Sequence, residues 1–244
     1  MTFKVIGILM TYNCERVVQN AIDKIPKDEF DDIICSDDGS IDNTLSIIKK
    51  NNIKFIHNNH TGYGGNLFFG MKKAFEMGAT HVVELHGDGQ YDFNQVNKLK
   101  KKFTEGKDLI LGNRFYNYSQ PFKDGMPVYI YFGNIFLTLL GKIGLGLNLN
   151  DFFQGFRGYS KKFFEEIVTD DIPKNYRFSF EVIAKAKFKK LEIDSVPVRC
   201  DYKVEHHTAP LSYIIPAIRH TIITCILFRL AKSGIKHTRL FKKK

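Results

Sequence analysis

The four cysteines, Cys14, Cys35, Cys200 and Cys225, are scattered and form no CxxC pair. This argues against both a zinc site and a disulfide framework. No signal peptide is legible at the N-terminus, where a strand-like run begins at Phe3, so the expected compartment is a reducing cytoplasm. A clean membrane span is missing too. The apolar stretch from Val128 to Gly141 stops at Lys142, and its about 14 residues fall short of the roughly 20 that cross a bilayer. Ile214 to Ala231 is longer but is interrupted by Arg219, His220 and Arg229. Both suit a segment lying on a membrane better than one crossing it. Acidic residues are absent from the final stretch, Lys232 to Lys244, which carries much of the formal charge of +10. A basic tail of this kind serves solubility, nucleic-acid binding or attraction to anionic lipid. The aromatics are spread through strands and apolar helices and no nucleic-acid motif is present, so no nucleic-acid partner is expected.

No internal repeat or low-complexity linker divides the 244 residues. The expected organisation is one catalytic domain, residues 1–208, with an apolar and basic helical appendage, residues 209–244. Strand-like runs cover Phe3 to Met10, Asp32 to Cys35, Ile53 to His57, His81 to Leu85 and Asp108 to Leu111. Helical patterns lie between them, over Glu15 to Ile25, Asp42 to Lys50, Asn66 to Met77 and Asn94 to Glu105. This alternation predicts an α/β fold with a mostly parallel mixed sheet flanked by helices, binding its ligand at the carboxyl ends of the strands. The second half reads as an apolar helix near 128–141, a polar loop from Asp151 to Ser160, a helix near 178–188 and a strand near 192–198.

The chemistry-bearing motifs sit just after strands. Thr11-Tyr12-Asn13 follows the first, and Ser36-Asp37-Asp38-Gly39-Ser40 the second. Carboxylates there can grip a nucleoside; the same residues also make ordinary turns and caps. Gly62-Tyr63-Gly64-Gly65-Asn66 precedes a helix, where close backbone approach and free N–H groups suit an anion. It is neither a P-loop nor a GxGxxG fingerprint. His86-Gly87-Asp88-Gly89-Gln90 follows the fourth strand, and alternate positions could turn three ligand-type side chains toward one divalent ion. An imidazole among oxygen ligands tilts the choice from Mg²⁺ toward Mn²⁺.

Taken in order, TYN, DDGSIDNT, GYGGN, HGDGQY, GNRF and GFRGYS resemble the family-2 glycosyltransferases of the GT-A fold, over roughly residues 3–208. Within them the pattern is similar to the dolichyl- or polyprenyl-phosphate sugar synthases. The resemblance implies that Thr11, Tyr12, Asn13, Asp37 and Asp38 bind the nucleotide, with Gly64 and Gly65 in the substrate-binding set. It implies that His86, Asp88 and Gln90 hold Mn²⁺ or Mg²⁺, with His86 standing where the family pattern DxDxQ has an aspartate. An aspartate restored at position 86 should then preserve activity. Arg114 matches an arginine after the fifth strand, and Asp151, Gln154 and Arg157 match the acceptor-side segment. Lys203, with His206 and His207, falls on a basic loop that closes over the diphosphate.

The implied reaction is inverting transfer of a hexose from a UDP- or GDP-sugar. Arg114, Arg157 and Lys203 are candidate phosphate contacts. A lipid-phosphate acceptor needs cations and positioning; a glycan hydroxyl needs a base, for which Asp151 is the candidate. Three functions stay open at this point: transfer to polyprenyl phosphate at an anionic membrane surface on the cytoplasmic side, transfer to a cell-surface glycan, and nucleotide-sugar binding without turnover.

Overall fold

The structure, a computed structural model, describes residues 3–167, 173–204, 211–235 and 240–241. The apolar run after Phe3 forms β1 (Val5–Thr11), buried along its whole length. Side chains alternate across a strand, so Ile6, Ile8 and Met10 enter one core while Val5 and Leu9 enter another. Such a strand requires helices on both faces. The first half supplies α1 (Val18–Asp23), β2 (Asp32–Asp37), α2 (Thr44–Lys50), β3 (Lys54–His57), α3 (Tyr63–Glu76), β4 (His81–His86), α4 (Val96–Thr104) and β5 (Leu109–Asn113). The second half adds α5 (Gln120–Lys123), α6 (Val128–Leu145), β6 (Arg157–Ser160), α7 (Lys161–Ile167), α8 (Phe178–Phe188), β7 (Ile193–Pro197) and α9 (Ile214–Lys232).

The sheet order is β3-β2-β1-β4-β6-β5-β7. All pairings are parallel except those of β6, which runs antiparallel to both β4 and β5. One core carries side chains of α3, α7, α8 and α9, and the other those of α1, α2 and α4. The chain winds outward from β1 to β3 and then returns to place β4 on the other side of β1. Their diverging connections leave a crevice at the carboxyl ends of β1 and β4, where an open α/β sheet binds its ligand.

Three local differences from the sequence expectation matter. The segment expected to be a loop from Asp151 to Ser160 ends in β6, whose four residues are all buried. It has no apolar run; its place comes from pairing with both neighbours. The third helix begins at Tyr63 rather than Asn66, so Gly64 and Gly65 lie inside its first turn. Helix α6 does not stop near Gly141. Lys142 extends its ammonium to Asn150 Oδ1 at 2.7 Å, and the helix runs on to Gly146, whose φ of 64° ends it.

Helix α9 packs against α6 and α8. Cys225 lies close against Gly144, and the Arg229 guanidinium donates to the carbonyls of Gly144 and Ile143. Cys225, Phe228 and Ala231 belong to the same core as α3 and α8.

Candidate active site

The crevice between the ends of β1 and β4 is a cavity of about 580 Å³. Tyr12, Asn13 and Glu15 border it from the first strand end, and His86, Gly87 and Asp88 from the fourth. Asn13 adopts a left-handed φ of 44°, which asparagine tolerates better than most residues. That turn lets its amide oxygen accept from the Ile41 N–H at 2.9 Å while its own N–H reaches Ser40 Oγ at 2.9 Å. The two loops are thus latched together. The Tyr12 ring stacks on His60 at 4.5 Å.

Asp37 and Asp38 do not reach this cavity. Asp37 is fully buried and accepts from Thr11 Oγ1, from the N–H and hydroxyl of Ser40, and from His57 Nδ1. Asp38 accepts from the N–H groups of Thr61 and Gly62 at 2.6 and 2.9 Å and from Thr61 Oγ1. The expected anion site before α3 is therefore filled by the protein's own Asp38 carboxylate. Thr11 is likewise turned inward. Gly64 and Gly65 serve packing: a Cβ on Gly64 would lie 2.2 Å from the Pro173 carbonyl, and one on Gly65 would strike the Thr61 side chain. All five residues organise the walls of the crevice.

Of His86, Asp88 and Gln90, the first two border one cavity and Gln90 does not. Asp88 points to the cavity and uses Oδ1 to cap the Gln90 N–H at 3.0 Å. Gln90 turns away, its amide donating to the Asp201 carbonyl. His86 directs Nε2 inward, 2.8 Å from Glu84 Oε1 and 3.1 Å from the Gly155 carbonyl. Burial alone would favour the neutral imidazole, but Glu84, the Asp88 charge and the Gly155 carbonyl together raise its pKa above the usual 6.5. Glu84 is fully buried and also accepts from Tyr63 OH and Tyr159 OH at 2.7 and 2.8 Å. The sequence signal for it was a charged residue inside the apolar strand run His81-Val82-Val83-Glu84-Leu85, two residues before a histidine.

Among the described residues no three His, Cys, Asp or Glu side chains gather into a metal cage. Mg²⁺ and similar ions at nucleotide sites are commonly held by one or two protein groups plus substrate phosphates. Asp88 fits that requirement, since among the described residues only its Oδ1 is engaged, in the turn cap.

The acceptor-side residues also differ from expectation. Asp151 is fully buried, and its oxygens accept from Arg114 Nε at 2.7 Å, Arg114 Nη2 at 2.9 Å and the N–H groups of Arg114 and Phe153. Each of its oxygens already accepts two hydrogen bonds. Arg114 also reaches Tyr202 OH at 2.6 Å; burial opposes its charge, but Asp151 outweighs this and holds its pKa well above the ordinary value. Arg157 is fully buried with its guanidinium on the carbonyls of Gln154, Phe152 and Ser179. It braces the backbone under the site. The Gln154 amide is buried beside Gly112 without a hydrogen-bond partner among the described residues. Lys203 borders a separate cavity of about 400 Å³ with Lys24, Lys123 and Arg199, so it is not brought to Asp88. His206 and His207 lie outside the described residues.

A third cavity, about 340 Å³, opens between the N-terminal parts of α6 and α9. Tyr129, Leu137, Phe153 and Ile214 make it largely apolar, with Arg114 and Gln90 at its polar end. Outside it, Phe132, Phe136, Leu139 and Ile143 of α6 are exposed at helical spacing, as are Ile215, Ile222 and Ile226 of α9.

A crevice at the switch point of a mixed sheet, with a carboxylate turn after β4, defines an α/β protein of the GT-A fold. The profile of glycosyl transferase family 2 matches residues 8–168, and the chain belongs to that family. It is 30% identical over 214 residues to the UDP-N-acetylglucosamine–dolichyl-phosphate N-acetylglucosaminyltransferase of Methanococcus voltae, covering 80% of this chain and 84% of that one. It is 24% identical over 200 residues to the dolichyl-phosphate hexose transferase of Haloferax volcanii, covering 81% and 83%. Among solved structures, the glucosyl-3-phosphoglycerate synthase of Mycobacterium tuberculosis, in complex with Mn²⁺, UDP and glucosyl-3-phosphoglycerate, superposes with a TM-score of 0.66 at 17% identity, covering 97% of this chain and 82% of that one.

Proposed function

We propose that this glycosyltransferase transfers a hexose or N-acetylhexosamine from a nucleotide sugar to polyprenyl phosphate at a membrane surface, with inversion. The observation that carries the acceptor is the apolar groove between α6 and α9, which reaches Gln90, two residues beyond Asp88, and ends on Arg114. An isoprenoid chain suits its apolar walls, and the phosphate suits its polar end. The occupied state of Asp151 supports the same choice. A lipid phosphate is already ionised at neutral pH and needs no general base, whereas a sugar hydroxyl does.

The donor diphosphate would lie in the crevice beside Asp88, with Tyr12 and Asn13 along its nucleoside side. The names of the Methanococcus relative and the mycobacterial structure make UDP-sugars the first donors to test. One acceptor phosphate oxygen bonds to the anomeric carbon as the bond from that carbon to the nucleoside diphosphate breaks. Asp88 would hold Mn²⁺ or Mg²⁺, which supplies neutralising charge to the departing diphosphate. The walls fixed by Asp37, Asp38 and Arg157 keep the crevice rigid, so alignment is set before the bond changes. The exposed stripes on α6 and α9 would rest in the outer part of one leaflet, with residues 209–244 as the membrane-facing appendage to the catalytic unit, residues 1–208, on the cytoplasmic side of the cell membrane.

The test is incubation of the full chain with labelled UDP- and GDP-sugars, Mn²⁺ and polyprenyl phosphate in detergent. Label entering the lipid phase supports the reading. Label entering only an added glycan, or nucleotide binding with no transfer in either metal, would overturn it.

A further inference from the structure

Glu84 is a charged side chain placed in the middle of a buried strand, and no ordinary packing role requires a carboxylate there. On β4 it shares a face with His86, because residues two apart on a strand point the same way. Its two oxygens are held by Tyr63 OH, Tyr159 OH and His86 Nε2, at 2.7 to 2.8 Å. His86 Nε2 faces two acceptors at once, Glu84 Oε1 and the Gly155 carbonyl. That nitrogen must therefore carry a hydrogen. The opposite nitrogen, Nδ1, has no partner among the described residues, and the ring borders the same cavity as Asp88.

The surroundings are built to this orientation. The Tyr91 ring packs edge-on against the imidazole at 5.4 Å, and the Tyr63 ring lies at 6.1 Å. Gly155 leaves the space that Nε2 fills: a Cβ there would lie 2.3 Å from it. A buried carboxylate that binds one imidazole nitrogen, and so aims the other outward, is the usual support of a metal-binding histidine.

We propose that Glu84 is a positioning residue that fixes His86 with Nδ1 turned into the crevice, making an imidazole nitrogen the second protein donor beside Asp88 toward a divalent cation bound with the nucleotide diphosphate. The proposal rests on the nucleotide-sugar reading above. It gives the glutamate, the histidine and Gly155 a single purpose, and it names a mixed nitrogen and oxygen donor set, which suits Mn²⁺ better than Mg²⁺. Any proton on Nδ1 leaves as the cation binds.

The test uses the full chain with Mn²⁺ and UDP, read by pulsed electron paramagnetic resonance. Wild type should show a directly bound nitrogen whose signal changes to that of ¹⁵N when the histidines are ¹⁵N-labelled. The signal should vanish in His86→Gln. Glu84→Gln keeps the shape of the side chain and should weaken Mn²⁺ binding in the presence of UDP by about 10- to 100-fold, with circular dichroism unchanged. Gly155→Ala, which crowds the ring from the other side, should also lose the nitrogen signal. A wild-type complex that holds Mn²⁺ and UDP with no histidine nitrogen overturns the proposal and leaves the transferase reading standing; so does unchanged Mn²⁺ affinity in a folded Glu84→Gln. A chain that binds UDP neither with nor without Mn²⁺ overturns both.

Discussion

Arg114 and Asp151 form a two-pronged ion pair in the interior, Nε to Oδ2 at 2.7 Å and Nη2 to Oδ1 at 2.9 Å. The pair joins the end of β5 to the loop before β6, and it fixes the arginine at the polar end of the α6–α9 groove. Removing one member of a buried pair leaves the other charge uncompensated, at a cost of about 3–5 kcal/mol. Asp151→Asn should therefore lower stability by that order as well as activity. Chemical denaturation together with a pH–rate profile checks it. A variant with wild-type stability whose rate falls and whose acidic limb disappears would show instead that Asp151 acts as a base.

Asp88 is different, because its carboxylate is partly exposed and Oδ1 serves only a local turn. Asp88→Asn keeps an oxygen for the Gln90 N–H and removes the charge. Stability should stay within about 0.5 kcal/mol of wild type. Transfer should fall by roughly 100-fold or more, since charge neutralisation at the diphosphate is worth several kcal/mol. Calorimetric titration with UDP, with and without Mn²⁺, separates the effects: the metal-dependent part of the affinity should be lost. Full activity in this variant would remove Asp88 from the site.

How much of this was legible beforehand varied with the kind of interaction. The strand ends that carry Tyr12, Asn13 and Asp88 were readable because apolar runs stopped at Gly, Asp and Asn. For Asp37 and Asp38 the sequence leaves a nucleoside grip and ordinary turn or cap chemistry both open. Whether a carboxylate faces a ligand or its own loop depends on partners such as Thr61 and His57, which sequence spacing does not reveal. Strand β6 was hidden because Arg157-Gly158-Tyr159-Ser160 has no strand-like apolar pattern; two neighbouring strands impose its conformation. Glu84 escaped for a related reason, since Tyr63 and Tyr159 are distant in the chain.

Position 86 shows the consequence. Viewed as a motif, His86→Asp restores the common family residue. In the structure it would set a second carboxylate beside the buried Glu84, where like charges force one group to take up a proton. The variant should be destabilised, by about 1–3 kcal/mol, because a buried carboxylate loses a hydrogen-bond donor. Thermal denaturation tests this. Adding Glu84→Gln to His86→Asp removes the repulsion and should recover part of the loss. A fully stable single variant would show that the strand opens easily at this point.

Acid should weaken the fold through His81. Burial lowers its pKa from 6.5 to about 4, with Asp108 offsetting only part of the effect. The ring lies between Phe3 and Phe103, with centroids at 5.0 and 4.3 Å. Between those two pKa values the unfolded chain binds a proton that the folded chain does not. The contribution to stability is therefore intact above about pH 6.5 and is lost as pH falls toward 4. The melting temperature should drop from pH 7 to pH 5, and less steeply in His81→Phe. Burial depresses His220 to about 4 as well, so the single variant should remove only part of the slope. His86, whose pKa is raised, acts in the opposite direction, so the deciding result is the variant: a slope in His81→Phe as steep as in wild type would contradict the assignment.

The outer faces of α6 and α9 give the sharpest test of where the enzyme works. Phe132 and Ile143 are 61% and 64% exposed, and they lie on one stripe because residues 132, 136, 139 and 143 follow the helical repeat. Neither side chain touches the crevice, so changing both to glutamate leaves the donor site as it is. An apolar stripe that rests in a lipid leaflet should lose that attachment when charged, through both lost burial and repulsion from anionic headgroups. The double variant should no longer sediment with vesicles containing anionic lipid, and transfer to long-chain polyprenyl phosphate in those vesicles should fall sharply. Transfer to a short, water-soluble prenyl phosphate should persist near the wild-type rate. Loss of both activities together would mean that the stripe supports the fold and not the membrane.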